Sequence, residues 1–218
     1  MLAREANDDY QKLMRNVLSF DPKILARFVN FMNNPDEETA IAQFGDGDKA
    51  YGVATLMATL PGLPMFGHGQ VEGLREKYGM EYRRSKLDER PNESMLARHL
   101  HEIAPLLRRR SEFAGTDRFR LLEVEDEAGR PLSDVFAYAN GRPDGPANLV
   151  MVHNRYAEAH GTVRRSVPFA DGNGGTRHAG LDEALGLRGG RDRFVRYRDV
   201  TEGLWYLARS DDWKNGGL

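Results

Sequence analysis

The sequence contains no cysteine, and this absence excludes several kinds of chemistry at once. Disulfide bonds, zinc–thiolate sites and a cysteine nucleophile all require a thiol, so none of them operates in this chain. A chain without cysteine also fits a reducing compartment, although it does not require one.

The sequence also lacks an excess of charge and a long hydrophobic run. Lys and Arg number 31 against 33 Asp and Glu, and a net charge of -2 creates no global field for nucleic acid or an anionic membrane. The most apolar window, residues 51–66, is interrupted by Pro61, Gly62 and Pro64 and is shorter than the roughly 20 residues of a membrane helix. Residues 1–10 lack the apolar core of a signal peptide. We expect a soluble, cytoplasmic protein with neither nucleic acid nor membrane as a partner.

Several familiar catalytic motifs are missing as well. There is no P-loop, no HExxH and no GxSxG. The spacing of Gly67, Gly69 and Gly73 is one residue longer than that of a dinucleotide-binding turn, which leaves nucleotide binding as a minor alternative. His99 and His101 would lie about 200° apart on a helix, as surface histidines do and a metal-binding pair does not. We therefore predict no metal site and no cofactor.

What the sequence does contain is a strand–loop–helix pattern that occurs twice. A helix is predicted within residues 1–18, and an apolar strand at 28–32 is followed by helical stretches at 36–44 and 49–60. Pro61-Gly62 then leads into a second apolar strand at 63–66 and a polar, glycine-rich loop. This pattern predicts a parallel α/β sheet or barrel, with its active-site loops at the carboxyl ends of the strands. A further helix at 95–110 should kink at Pro105.

The second half of the chain is rich in short β-runs separated by turn residues. They predict a small antiparallel sheet or sandwich, and they lie at residues 119–125, 134–140, 148–155 and 162–169.

The last part of the chain gives weaker signals. Residues 171–175 are expected to be a linker, 193–198 are strand-like, and 204–213 look helical. Arginines alternate with aromatic residues from Arg191 to Arg198, a pattern that occurs in nucleic-acid-binding strands. The balanced charge of the whole chain argues against that function.

The candidate functional residues follow the two predicted strands. Asn33 and Asn34, then Asp36 and Glu37, come after the first strand, where a carboxylate can stabilise positive charge that develops on a substrate. The structural alternative is that Asp36 is a helix N-cap whose acidic neighbours complement the helix dipole.

The loop after the second strand carries three further polar side chains, His68, Gln70 and Glu72. Each is a hydrogen-bonding group at the carboxyl end of a strand, and a purely structural turn is the alternative.

Taken in order, these segments resemble the carboxyl-terminal part of an α-amylase-type enzyme of glycoside hydrolase family 13. In that family, strand seven ends in an Asn-His-Asp motif that is often followed by Glu, and this chain has Asn34-Pro35-Asp36-Glu37. Residues 40–70 are similar to the family's run through helix seven into strand eight, where a Pro-Gly-x-Pro turn leads to a Gly-Gln-Glu loop. Residues 95–110 resemble the last barrel helix, and the β-rich run resembles the small domain that follows.

The resemblance implies a fold and a domain organisation. Residues 1–114 would be the last two strand–helix units of a (β/α)8 TIM barrel, 115–170 a small antiparallel β-sandwich domain, and 171–218 a linker and an unassigned tail. Because a whole barrel usually needs about 250 residues, we expect a fragment of a longer polypeptide. Its partner would be the missing amino-terminal part, and its exposed strand edges should make it poorly soluble alone.

The resemblance also implies roles for particular residues. Asp36 would stabilise the transition state, and Asn34, Glu37, His68 and Gln70 would bind an α-glucan or maltooligosaccharide substrate. The retaining reaction at an α-glucosidic bond needs a nucleophile and an acid/base, and both would lie outside this chain.

Two departures from the family pattern bear on sugar binding. Pro35 replaces the family histidine and so removes a hydrogen-bond donor, and Val71 replaces the glutamate of the Gly-Gln-Glu loop. The loss of the histidine at Pro35, together with the absence of the nucleophile and acid/base pair, favours the alternative of a non-catalytic carbohydrate-binding or interaction module derived from such an enzyme.

Overall fold

The structure, a computed structural model, describes residues 1–79, 83–187 and 193–215. The helices are α1 (Asn7–Phe20), α2 (Ala40–Phe44), α3 (Asp48–Thr59), α4 (Glu93–Arg98), α5 (Ala104–Arg108), α6 (Leu181–Ala184) and α7 (Ser210–Asn215). The strands are β1 (Val29–Phe31), β2 (Leu63–Met65), β3 (Arg120–Glu125), β4 (Val135–Gly141), β5 (Ala147–His153), β6 (Thr162–Ser166), β7 (Phe169–Ala170), β8 (Thr176–Arg177), β9 (Phe194–Arg198) and β10 (Trp205–Arg209). Short 3-10 turns cover Leu2–Arg4, Pro22–Arg27 and Arg110–Glu112, and a π-helical turn covers His99–Ile103. No helix within these ranges is long and apolar enough to cross a membrane.

The predicted strand–helix–strand unit is present in the first half of the chain. β1 and β2 pair in parallel, with Val29 opposite Leu63 and Phe31 opposite Met65, and α2 and α3 form the connection between them. Parallel neighbours need such a crossover. The two strands lie within one or two residues of their predicted positions, and both polar loops follow their carboxyl ends.

The start of α2 differs from its prediction. The helix was expected to open at Asp36, but it begins at Ala40 and is capped by Thr39, whose hydroxyl accepts from the Ala42 amide at 3.3 Å. The reason lies upstream, where the Asn34 side chain accepts from the backbone amides of Asp36 and Glu37 and holds residues 34–37 in a separate turn. The N-cap alternative for Asp36 is therefore wrong.

Helix α3 is buried on nearly all sides. Leu56 and Leu60, at its C-terminal end, join a core cluster with α1 and the antiparallel sheet, while Tyr51 and Met57 join a second cluster with α2 and the π-helical turn. Gly52 brings the helix close to β5, since a Cβ at this position would lie 3.2 Å from a methyl group of Val152. The helix therefore ties the parallel ribbon to the β-rich half of the chain.

The predicted antiparallel sheet is also present, with strand order β5-β4-β3-β6. Its strand β4 is buried throughout: Phe136 and Tyr138 face the cluster with α1, while Val135 and Ala137 face the opposite cluster. That opposite cluster contains α6 and Trp213 of α7, where a sandwich would have a second sheet. Helical segments thus form the outer layer that was expected to be β-structure.

The tail contains more regular structure than the sequence suggested. The stretch expected to be helical, 204–213, is the strand β10 followed by α7, and β10 pairs antiparallel with β9. Trp205, Tyr206 and Leu207 are residues that fit a strand well, which explains the outcome. Residues 171–175, expected as a linker, form the turn of the β7–β8 hairpin, with the Asp171 carboxylate accepting amides at both ends of the turn. Arg191 lies outside the described residues.

The parallel ribbon of β1 and β2 exposes an apolar face. Val29 is 46% exposed and Leu63, directly opposite, is 62% exposed, and Phe31 is also exposed. Parallel sheets are normally covered on both faces. This face is what a segment of a larger parallel sheet would present.

Arg110 fixes the turn between α3 and β2. Its guanidinium donates to the Ala58 carbonyl at 3.0 Å, near the C-terminal end of α3, and to the Gly62 carbonyl. Gly62 has φ +99°, and a Cβ there would collide with the Phe28 carbonyl oxygen. Burial of Arg110 lowers the pKa of its guanidinium. A run of arginines at a helix end, such as Arg108 to Arg110, is typical of a solvated C-terminus. Arg110 instead turns inward to these two carbonyls.

Replacing Arg110 with methionine should destabilise the fold by about 2–3 kcal/mol, because two carbonyls lose a charged donor while the side-chain volume is retained. Urea denaturation followed by circular dichroism measures this. Arg108→Met, at the exposed last residue of α5, should change stability by less than about 0.5 kcal/mol. Equal midpoints for the two variants would show that the Arg110 contacts contribute nothing.

Candidate functional site

The loops that follow β1 and β2 form a cleft at the carboxyl ends of the two strands. The cleft encloses about 240 Å³, including its open mouth. Its lining combines amide, carboxylate, hydroxyl, imidazole and ammonium groups, from Asn33, Asn34, Glu37, Thr39, His68, Glu76, Lys77 and Tyr78. This is where the parallel topology was expected to place functional side chains.

Asn34 shapes the first loop. Its Oδ1 accepts the amides of Asp36 and Glu37, both at 2.9 Å, so the oxygen is committed to the turn. Its Nδ2 has no such role, and it remains a donor for a ligand in the cleft. In this turn the side chains of Asp36 and Glu37 are both exposed to solvent.

Asn33 connects the first loop to the second. It is only 5% exposed, and its Nδ2 makes a long hydrogen bond of 3.5 Å to the His68 carbonyl. Its carboxamide lies flat against Gly67, where a Cβ would come within 2.3 Å of Oδ1. Among the described residues, this Oδ1 has no hydrogen-bond partner. A buried acceptor without a partner is uncommon and is a feature of ligand-binding and strained sites.

His68 and Tyr78 form an aromatic pair on the other side of the cleft. Their ring centroids are 4.5 Å apart, and the rings meet edge to face at 63°. The segment around Tyr78 is held by Glu76, whose carboxylate accepts the amides of Lys86 at 2.6 Å and Leu87 at 2.8 Å. These amides, that of Leu87 first, lower the pKa of Glu76, so this carboxylate stays ionised as a loop anchor.

Lys77 links the two loops electrostatically. Its ammonium donates to the Asp36 carbonyl at 3.0 Å and lies 3.9 Å from the Glu38 carboxylate. Both partners are at the surface, so the contribution to stability is small. The contact nevertheless positions the Asp36 backbone against the second loop.

The structure brings together three of the five residues to which the family resemblance gave roles. Asn34, Glu37 and His68 line the cleft, whereas Asp36 is not among the lining residues. Gln70 is buried and turns inward: its Oε1 accepts the Gly67 amide, and its Nε2 contacts the Met32 sulfur at 3.2 Å. The catalytic role of Asp36 and the substrate-binding role of Gln70 remain predictions.

A second, more apolar cavity lies behind the cleft. It has a volume of about 320 Å³, including its open mouth, and is lined by Met32, Ala40, Ala50, Tyr51, Ala54, Gln70, Val71, Met95 and His99. Its half-buried His99 was expected at the surface, but its ring meets Phe66 edge to face at 5.5 Å. Burial lowers the pKa of His99, against the opposing effect of Glu72. The imidazole is therefore neutral near pH 7 and acts as a packing group.

Sequence reasoning missed Glu76, Lys77 and Tyr78. They come after the glycine-rich loop in a segment without helical or strand periodicity, so no local signal singled them out. Among the described residues, no three His, Asp or Glu side chains come close enough together to hold a metal ion. The cleft is suited to hydrogen bonding with a hydroxyl-rich ligand, with one free carboxylate at Glu37.

Replacing Gly67 with alanine should destabilise the fold by about 1–3 kcal/mol, because the new methyl group overlaps the Asn33 carboxamide. Asn33→Ala in the same chain should restore most of that loss, since it removes the overlapping atoms. Thermal melts of the two single variants and the double variant measure the coupling. Gly115→Ala is the control, because a Cβ there meets no atom within 4 Å. If the double variant loses as much stability as the two single variants together, Gly67 and Asn33 are not in contact.

No known family model matches the sequence, and no curated protein matches it. Among solved structures, the chain is similar to a noncanonic maltogenic alpha-amylase from Thermotoga neapolitana, with 11% sequence identity and a TM-score of 0.47. The match covers 82% of this chain and 36% of the alpha-amylase chain. The chain thus spans about a third of the length of that structure.

Proposed function

We propose that this chain supplies part of the substrate site of an α-amylase-type glycoside hydrolase that acts on α-glucosidic bonds with retention of configuration. The observation that carries the proposal is the cleft itself. Asn34 and Glu37 are about 30 residues from His68 in the sequence, yet they line one cleft at the carboxyl ends of two parallel strands. The family resemblance of Asn34-Pro35-Asp36-Glu37 and of the Pro61-Gly62 turn assigns the same location.

The chemistry of the cleft fits an α-glucan or maltooligosaccharide. The Asn34 Nδ2 and the Glu37 carboxylate offer a donor and an acceptor to sugar hydroxyls, which have both capacities. Tyr78 and His68 add ring surface for the apolar face of a sugar. Asn33, which also lines the cleft, has a buried Oδ1 without a hydrogen-bond partner among the described residues, and such an acceptor is a feature of ligand-binding sites.

Asp36 is proposed to stabilise the positive charge of the oxocarbenium-like transition state. Its backbone is held beside the cleft by Asn34 and Lys77, and its carboxylate is exposed and so accessible to a bound sugar. A retaining glycosidase also needs two carboxylates about 5–5.5 Å apart. We place that pair, the nucleophile and the acid/base, on a part of the polypeptide outside this chain.

The exposed apolar face of β1 and β2 supports this division of the site. A two-stranded parallel ribbon is marginal by itself, and Val29, Phe31 and Leu63 would be buried if further parallel strands closed a (β/α)8 barrel around them. The missing amino-terminal part of the polypeptide is therefore the proposed partner.

A specific observation also favours a second function, that of a non-catalytic carbohydrate-binding module. Asp36 is not among the residues that line the cleft, and Pro35 cannot donate a hydrogen bond where the family has histidine. A module of this kind would bind sugar through Asn34, Glu37 and His68 alone.

Sugar binding is tested by Asn34→Asp, which keeps the oxygen that holds the turn but removes the Nδ2 donors. We expect about fivefold weaker binding of maltooligosaccharides in calorimetric titration, the loss expected for one hydrogen bond. Asn173→Asp makes the same change at an exposed turn between β7 and β8 and should leave binding unchanged. Equal affinity of N34D and the unchanged chain would remove Asn34 from the site.

Catalysis is tested in the polypeptide extended upstream in its own reading frame. Asp36→Asn should lower kcat on maltooligosaccharides by about 100-fold or more, as the loss of one transition-state-stabilising group does, while binding changes little. Asp46→Asn, on the exposed turn before α3, is the matched control. Normal turnover by D36N would refute its role, and sugar binding without turnover in the extended polypeptide would favour the module.

A further inference from the structure

The β9–β10 hairpin has one face that is turned outward. Its register places Trp205 opposite Arg198, Leu207 opposite Arg196, and Arg209 opposite Phe194. Side chains alternate between the faces of a strand, so these six residues lie on the same side of the hairpin. We call them the outward face.

The other side of the hairpin packs against the protein in part, with Tyr197 36% and Tyr206 38% exposed. Tyr197 and Tyr206 are directly opposite each other there, with ring centroids 5.2 Å apart and nearly parallel rings. Tyr197 also contacts Trp213 of α7 at 5.2 Å, and Ala208 packs against the outer core cluster of the four-stranded sheet. These contacts fix which side of the hairpin is turned to solvent.

The outward face is both apolar and positively charged. Trp205 is 58% exposed and Leu207 is 66% exposed, and Phe194 is exposed to a similar degree. The guanidinium of Arg196 lies over the Trp205 ring at 4.4 Å. Large apolar side chains at this exposure, clustered on one face, indicate a contact surface.

No carboxylate neutralises the arginines of the outward face within the residues that the structure describes. Asp199 in the hairpin turn accepts the amides of Thr201 and Glu202 instead. Glu202 accepts from the Tyr206 hydroxyl, which lies on the inward side. The three guanidinium groups therefore remain available for an anionic partner.

We infer that the outward face binds an acidic polypeptide segment in an extended conformation. The composition favours a protein partner over a nucleic acid, because Trp, Phe and Arg are enriched in protein interfaces and Lys, absent from this face, is depleted there. The net charge of -2 provides no additional attraction for a polyanion. The charge complementarity of the three arginines requires carboxylates on the segment.

The geometry of β9 specifies how the segment binds. Within the described residues, the sheet order is β10-β9 alone, so the outer edge of β9 has free backbone groups that an added strand would pair with. On the outward face the added strand would place carboxylates beside Arg198 and Arg196. Its intervening residues would lie on the inward side, next to Tyr197 and Val195, where apolar side chains fit. The matching sequence therefore alternates acidic and apolar residues with a period of two.

The test uses a short peptide in which Glu and Val alternate, together with the intrinsic fluorescence of Trp205. Trp213→Phe leaves Trp205 as the single tryptophan, since the chain has two. Binding should shift the Trp205 emission, because the peptide carboxylate engages Arg196, whose guanidinium lies over the Trp205 ring. A peptide of the same composition with its Glu residues in one block should bind at least about tenfold more weakly, because it cannot match the alternating pairs.

Charge reversal separates recognition from any damage to the fold. Arg196→Glu with Arg198→Glu should abolish the shift with the Glu–Val peptide and create a shift with a peptide of alternating Lys and Val. The control variant, Arg164→Glu with Arg108→Glu, changes the net charge by the same amount at exposed arginines elsewhere. It should still bind the Glu–Val peptide in preference to the Lys–Val peptide.

Three results would overturn the inference. The first is no emission shift with the Glu–Val peptide, and the second is equal binding of the alternating and block peptides. The third is tighter binding of oligo(dT) than of the Glu–Val peptide, which would identify the face as a nucleic-acid-binding surface with the salt dependence typical of phosphate contacts.

Discussion

The structure depends on the burial of helix α3. One side of the helix packs against the antiparallel sheet, where the Thr59 hydroxyl meets that of Tyr138 in a buried hydrogen bond. The other side packs against α2 and the π-helical turn. Burial raises the pKa of Tyr138, so the phenol stays protonated and this bond persists at any physiological pH. Because α3 leads directly into β2, the position of the second cleft loop is set by packing on both sides of this helix.

Much of the fold could be predicted because its signals are local. The spacing of apolar residues located α1 and α3, and the alternating runs located β3 to β6. The failures occurred where tertiary contacts decide between local alternatives. Helix α2 starts at Ala40 because Asn34 engages the amides before it, and β10 is a strand because β9 is available to pair with Trp205, Tyr206 and Leu207. A single sequence does not reveal such partners.

The candidate site was predictable only in outline. The rule that functional loops follow the carboxyl ends of parallel strands correctly brought Asn34, Glu37 and His68 to one place. The rule says nothing about which way a side chain turns, and Gln70 turns inward because a pair of methionine sulfurs and the Gly67 amide lie within its reach. Tyr78 enters the site through a loop held by Glu76, a tertiary arrangement without a sequence pattern.

The π-helical turn at His99–Ile103 gives the long helix of α4 and α5 one residue more than a regular helix of the same span would hold. The Ala104 amide donates to the His99 carbonyl, five residues back, immediately before Pro105. Immediately before this turn, Arg98 lies over the Tyr51 ring at 3.8 Å, and at the end of the turn Ile103 is fully buried. Loss of one residue within the turn would rotate the two halves by about 100° relative to each other. Arg98 and Ile103 would then no longer face α3 together, so the number of residues in this turn is under a stricter constraint than their identity.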